Sequence, residues 1–168
     1  MQGGHPGPDS LYEQDILVWS ERQVALLRRL AAGERLNDAV DWPNVIEELE
    51  DVGRSQLTAC ESLLLQALVH LLKLHAWPGC RAADHWTSEV ESFLSDARRR
   101  FTPSMRQRID LPDLYSDALY RTKPRPLDGI DPRPLPQACP YTLDDLLTRR
   151  PDVTDLVARL AHPASGDP

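Results

Sequence analysis

Apolar residues recur at helical spacing along nearly the whole chain, and nowhere do they alternate as a half-buried strand requires. From about Leu11 to Ala32, the positions Ile16, Val24, Leu27, Leu30 and Ala31 keep a three-to-four spacing, with Trp19 and Leu26 on the flanks. Asp9 or Ser10 can cap the helix this predicts, and Gly33 can end it. A longer run follows in Leu49, Val52, Leu57, Cys60, Leu63, Leu64, Ala67, Leu68, Leu71 and Leu74. It predicts one helix over about 43–74 with a core-facing stripe throughout. Asp41 is its expected cap, and Pro43 fits the first turn, where the missing N–H would have no helical partner anyway. Between Leu63 and Leu74 almost the whole circumference is apolar, so neighbours are expected on several sides. Gly53 is expected to mark a bend or a close helix crossing, since glycine is weaker than alanine in a helix by roughly 1 kcal/mol.

Pro78 and Gly79 break the pattern, after which Ala83, Trp86, Val90, Phe93, Leu94, Ala97 and Phe101 trace another amphipathic helix that ends before Pro103. Met105, Ile109, Leu114 and Leu119 predict a fourth helical stretch, kinked or divided at Pro112. The segment RTKPRPLDGIDPRPLPQACP holds six prolines in twenty residues and reads as an extended connector over about 122–140, pinned by Leu127, Ile130 and Leu135. Tyr141 to Leu147 and Pro151 to Leu160 predict two short helices capped by Thr142 and Asp152. The expected architecture is therefore all-α: a single-domain bundle over 11–161 around one long central helix, with flexible tails at 1–10 and 162–168. At 168 residues one such core is expected to bury roughly 70% of the unfolded surface.

Charge adds an asymmetry to this picture. The net charge of −7 divides into −9 over residues 1–97, +4 over 98–134 and −2 over 135–168. A surface divided in sign can steer a partner or favour self-association. The basic side chains are 17 Arg and only 2 Lys, in a background rich in Pro and Ala, as a GC-rich bacterial genome would give. The opening MQGGHPGPDS has no secretory pattern. Gln66, His70 and Lys73 interrupt the longest apolar stretch well short of the ~20 residues that span a bilayer. A cytoplasmic location without membrane insertion is the expectation. Cys60, Cys80 and Cys139 are odd in number and form no CxxC pair, so reduced thiols are expected.

The stretches LYEQDILVWSERQVALLRRL and DWPNVIEELEDVGRS begin an ordered set of features over about residues 10–148. LVHLLKLHAWP, Trp86, the Pro103–Ser104 pair, Tyr115 and ACPYTLDDLL complete it. Together they resemble an uncharacterised bacterial family, domain of unknown function number twenty-nine. The resemblance implies an all-helical fold with one long central helix. It implies no activity, substrate or catalytic residue.

Three constellations could carry chemistry. Glu47, Glu50 and Asp51 can share one face of the long helix and suit a hard divalent cation, with His70 as a further ligand. His70 lies too far along the same helix to join them directly, so neighbouring helices would have to supply ligands; Asp15 and Glu89 are carboxylates they could offer. A dipole-complementing acidic first turn and a hydrogen-bonded core histidine are the plainer readings. No resident cofactor is expected beyond such a metal. His75, Cys80 and His85, with Cys139, have residue types that suit zinc at spacings that match no usual zinc motif. Arg98, Arg99, Arg100, Arg106 and Arg108 flank Phe101 and could take phosphates or a partner's acidic face, although an overall pI near 5.2 argues against a dedicated nucleic-acid binder. Trp19, Trp42, Trp77 and Trp86 read as packing anchors. No nucleotide-loop, nucleophile-elbow or HExxH motif is present. The leading expectation is a protein-interaction or oligomerisation module, ahead of a metal-dependent hydrolase or nuclease and of nucleic-acid binding.

Overall fold

The computed structural model describes residues 8–161 and is all-helical over them. The helices are α1 (Pro8–Gln14), α2 (Ile16–Ala31), α3 (Trp42–Ala76), α4 (Ala83–Arg100), α5 (Leu111–Thr122), α6 (Leu143–Leu146) and α7 (Val153–Ala161). Contacts gather these residues into two compact units that divide between Arg54 and Ser55, within α3. The tail expected over 1–10 lies outside the described residues as far as residue 7; from Pro8 the chain is helical. The tail expected at 162–168 also lies outside them.

In the first unit the single helix expected from Leu11 to Ala32 is two. Asp15 interrupts it, with a non-helical backbone and a carboxylate that accepts the Val18 N–H at 3.0 Å, so α2 starts on its own cap. Gly33 ends α2 as expected: at φ 92° it lets the Gly33 and Glu34 amides reach back to the Leu30 and Arg29 carbonyls. Trp19, Val40 and Val45 form the core of this unit, with Leu11, Tyr12, Leu26, Leu27, Leu30 and Trp42 packed around them. Buried Asp41 ties it together. Its carboxylate accepts from the Trp19 indole at 2.9 Å and the Asn44 amide at 2.8 Å, while its own N–H donates to Gln23 Oε1 at 3.0 Å. Desolvation pushes the Asp41 carboxyl up, but the hydrogen bonds from Asn44 and Trp19 outweigh it and hold the group below its ordinary value.

In the second unit the middle of α3 is enclosed. Leu64, Leu65, Ala67, Leu68, Val69, His70, Leu71 and Leu72 are all buried, and Gln66 alone among residues 64–72 is exposed. Val90, Leu94 and Ala97 of α4, Leu111, Tyr115 and Ala118 of α5, Leu143 and Leu146 of α6, and Val153, Leu156 and Leu160 of α7 share this core. Of the two expectations for the fourth helical stretch, one holds. The stretch is divided rather than kinked: Pro112 sits in the first turn of the second piece, α5, where no amide is needed, and Asp110 caps that turn through the Asp113 N–H. Met105 and Ile109 reach the core from a 3₁₀ turn, Pro103–Met105, and the turns after it. Thr142 and Asp152 cap α6 and α7 as expected.

The connector after α5 lies along the second unit. Leu127, Ile130 and Leu135 pack beside Ala76, Trp77, Cys80 and Trp86. By length and composition α3 could cross a membrane, but half of its most apolar window is buried within the protein, which fits the core helix of a soluble protein.

Two expectations about α3 are corrected. Gly53 marks no close crossing, because a Cβ built there would meet nothing within 4 Å, and α3 runs unbroken through it. Nor is one face core throughout. Leu49 is 69% exposed and Val52 61%, and in α2 Ile16 and Val24 are exposed as well.

Gly53→Ala should therefore raise the stability by about 0.5–1 kcal/mol, read as a shift in denaturant midpoint; destabilisation would mean a neighbour does need that space. The depressed Asp41 carboxyl should make the first unit acid-sensitive: its contribution is present above the ordinary carboxyl range near pH 4 and is lost as the pH falls through the lowered native value. Acid titration followed by Trp19 fluorescence should show this transition in the wild type and lose it in Asp41→Asn.

Candidate functional site

The polar groups with the most structure around them lie on the seam between α3 and α4 in the second unit. The two helices run side by side from Cys60, whose thiol approaches the Ala97 carbonyl at 3.6 Å, to Trp77 and Trp86, whose ring centres are 6.3 Å apart. Between these ends stand His70 and Lys73 on α3, and Phe93 and Glu89 on α4. His70 Nε2 is 2.9 Å from Glu89 Oε2, its Nδ1 is 2.8 Å from the Gln66 carbonyl, and its ring lies 5.6 Å from that of Phe93. His85, one turn before Glu89, brings its Nε2 to 3.4 Å from the same carboxylate oxygen. One turn along the seam, Lys73 Nζ stands 5.5 Å from the centre of the Trp86 ring.

Both nitrogens of the buried His70 ring face oxygen acceptors, an arrangement only the imidazolium satisfies completely. Desolvation opposes that charged form. It outweighs the Gln66 carbonyl and Glu89, which favour the proton, and Lys73 and His85 add to the opposition, so the ring titrates below its ordinary value. Glu89 is thus the shared acceptor of one buried and one exposed histidine. The apolar face expected around His70 is opened at one point by a carboxylate from the neighbouring helix.

The other expected constellations are placed differently. Glu47, Glu50 and Asp51 are exposed on α3, Asp51 paired with Arg54 at 3.1 Å, and even Asp51 lies about five helical turns before His70. Their neighbour Glu48 accepts a hydrogen bond from Tyr12 at 2.8 Å. His75 is buried with its Nε2 3.1 Å from the Pro134 carbonyl, His85 faces Glu89, and the Cys139 thiol approaches the Tyr141 carbonyl at 3.7 Å. Among the described residues no three His, Cys, Asp or Glu side chains are arranged to hold a metal ion. All five expected arginines are exposed. Arg98, Arg99 and Arg100 occupy the last turn of α4, where cations complement the helix dipole, and Arg99 pairs with Asp96. Arg106 pairs with Asp144 at 2.7 Å and lies over the Phe101 ring, while Arg106 and Arg108 edge an open depression of about 560 Å³ with Asp110, Tyr141 and Thr142.

Sequence spacing could offer Glu89 only as one carboxylate among several, because its approach to His70 depends on how α4 packs. The pairing of Lys73 with Trp86 had no sequence signal, since nothing in either helix alone reports its neighbour.

These residues define an all-helical protein whose polar seam lies between its long central helix and the helix that follows. The chain belongs to the family described as "Domain of unknown function DUF29", which matches residues 11–150. It is similar to an alpha-helical protein of unknown function from Rhodospirillum rubrum, solved by crystallography, at 30% identity and a TM-score of 0.65. That likeness covers 94% of this chain and 99% of the other. No curated protein matches the chain. Neither the family nor the similar structure carries an assigned activity.

Replacing Glu89 by Gln should lower the titration midpoint of His70 further, because it removes the carboxylate that favours the ring's proton. Proton NMR of the imidazole checks this. An unchanged or raised midpoint would show that Glu89 does not act on the ring.

Proposed function

We propose that this chain is a cytoplasmic bacterial association module, which uses the first unit to bind a partner surface that is both apolar and cationic. A single observation carries the reading. Of the eight large hydrophobic residues exposed in the described part of the chain, seven (Ile16, Leu17, Val18, Val24, Ile46, Leu49 and Val52) fall within residues 16–52, and Tyr120 is the other. Leu17 and Val24 are seven residues apart on α2, and Ile46 and Leu49 three apart on α3, so each helix presents an apolar stripe to solvent. Monomeric proteins rarely leave such patches uncovered. Acidic side chains border the stripes, among them Glu21, Glu47 and Glu50, so the favoured partner is cationic as well as apolar. The segment from Arg98 to Arg108 on a second copy, with five exposed arginines around Phe101, has that character and makes self-association the version to test first.

Light scattering across a protein-concentration series, repeated at rising salt, should show reversible association that weakens as salt screens the charges. Leu17→Glu combined with Leu49→Glu should weaken it by about tenfold or more, because burying each leucine is worth about 1.5–3 kcal/mol and neither supports the core. A monomer that responds to neither concentration nor salt would sink the self-association reading.

A further inference from the structure

Where the C-terminal ends of α3 and α5 approach the start of α4, the second unit contains a cleft of about 200 Å³. Its apolar wall is built from Trp77, Trp86 and Leu127, and its charged lining is entirely cationic: Lys73, Lys123 and Arg125. We propose that this cleft binds a small ligand that joins an anionic head, phosphate or carboxylate, to a single flat apolar ring.

The cations are the first argument. Lys73 and Lys123 are the only lysines in a chain with 17 arginines, and both face this one cleft. Lys73 in the last turn of α3 and Lys123 just past the end of α5 each have a structural use, since a helix C-terminus carries about −0.5 of an elementary charge. Two such ends offset about one positive charge at most, and Arg121 already complements the end of α5, so most of the charge on Lys73, Lys123 and Arg125 is left over. None of the three cations makes an ion pair among the described residues, and none of the cleft's lining side chains is acidic. Glu89, one turn beyond Trp86 on α4, is occupied by His70 and His85. The remaining positive charge is uncompensated within the cleft and suits one doubly charged or singly charged anionic head.

Backbone conformation is the second argument. Lys123 follows the last residue of α5 at φ 41°, ψ 67°, a left-handed conformation that costs a non-glycine residue roughly 1 kcal/mol or more. Glycine is the usual residue at this position of a helix end. Lysine there sets its ammonium 5.1 Å from the Tyr120 ring centre and at the cleft, so the strained position carries a charged group that glycine would lack. The wall is fixed as well: the Trp77 indole N–H donates to the Arg125 carbonyl at 2.9 Å, holding the connector and its cation against α3.

Size and shape set the ligand class. The volume lies below the roughly 300 Å³ at which drug-sized pockets begin, so a one-ring compound fits better than a dinucleotide or a peptide. Trp77 and Trp86 are themselves buried, so they meet a ligand along the rim that lines the cleft, which favours a flat ring, and ammonium groups supply point-charge donors to oxygen anions.

Phenyl phosphate and benzoate serve as probes, with inorganic phosphate and phenol as their halves, followed by indole fluorescence and by NMR of the Trp77 and Trp86 N–H signals. Saturable binding of at least one whole probe, about tenfold or more tighter than either half, is expected, and which probe wins reports the head group. Lys73→Met with Lys123→Met should weaken binding by about tenfold or more while helical circular dichroism is unchanged. Lys123→Gly distinguishes ligand binding from a structural role, since relieving the strained backbone should raise thermal stability while still weakening the probe. No saturable response from either probe, or unaltered affinity in both lysine variants, would overturn the proposal. These experiments are independent of self-association, which Leu17 and Leu49 test.

Discussion

Enclosure of the middle of α3 is the constraint from which the second unit follows. When consecutive residues from Leu64 to Leu72 are almost all buried, no single neighbour can cover them. α4, α5, α6 and α7 together surround this segment, and even a four-residue helix such as α6 is held by placing Leu143 and Leu146 in the same core. At about 25 cal/mol per Å² of apolar surface, such burial is what offsets the entropy of ordering short helices that would not persist alone.

The proline-rich connector depends on the same core in a different way. Prolines remove N–H groups but leave every carbonyl, so a segment such as 122–140 approaches the helices as a chain of acceptors in need of donors. Side chains of the core provide them. The Trp77 indole donates to the Arg125 carbonyl, His75 Nε2 lies against the Pro134 carbonyl, and the Tyr115 hydroxyl donates to the Pro136 carbonyl. The Arg133 amide in turn closes the end of α3 by donating to the Ala76 carbonyl at 2.9 Å. Burial pushes the Tyr115 phenol up, so it remains a donor at any ordinary pH. Buried polar aromatics thus hold the connector while their rings fill the core. The cleft beside Lys123 exists because this path carries the chain back past Trp77.

Helical period was the most legible feature of the sequence because it arises within one element. It located α3 and α4 and, through Gly33, Thr142 and Asp152, several helix ends. Where a helix starts inside an apolar run was less legible: the Asp15 cap and the first-turn role of Pro112 depend on which of two local conformations the surroundings select. Specific side-chain pairings between helices were the least legible. Glu89 reaches His70 only because α4 packs beside α3 in one register, and Lys73 meets Trp86 for the same reason. Periodicity also gives the direction of an apolar face without showing that anything covers it. Leu49 and Val24 have core-like spacing and are nonetheless exposed.

That exposure is best understood by comparing the two cores. Among the described residues the first unit buries three hydrophobic side chains, Trp19, Val40 and Val45, and relies on a buried carboxylate bridging Trp19 and Asn44, whereas the second has a large continuous apolar core. A short stretch of chain has too much surface for its volume to bury all its apolar side chains, and small units commonly complete their burial through association. Charge constrains the form that the proposed association would take. Two identical acidic faces brought together would set carboxylates against carboxylates around the apolar stripe, and the repulsion would oppose the gain from burying Leu17 and Leu49. A cationic counterpart removes that opposition without altering the apolar contact. A twofold pairing of the first unit with itself is therefore less favourable than contact with an arginine-bearing surface, and if that surface belongs to another copy, the contact is head-to-tail.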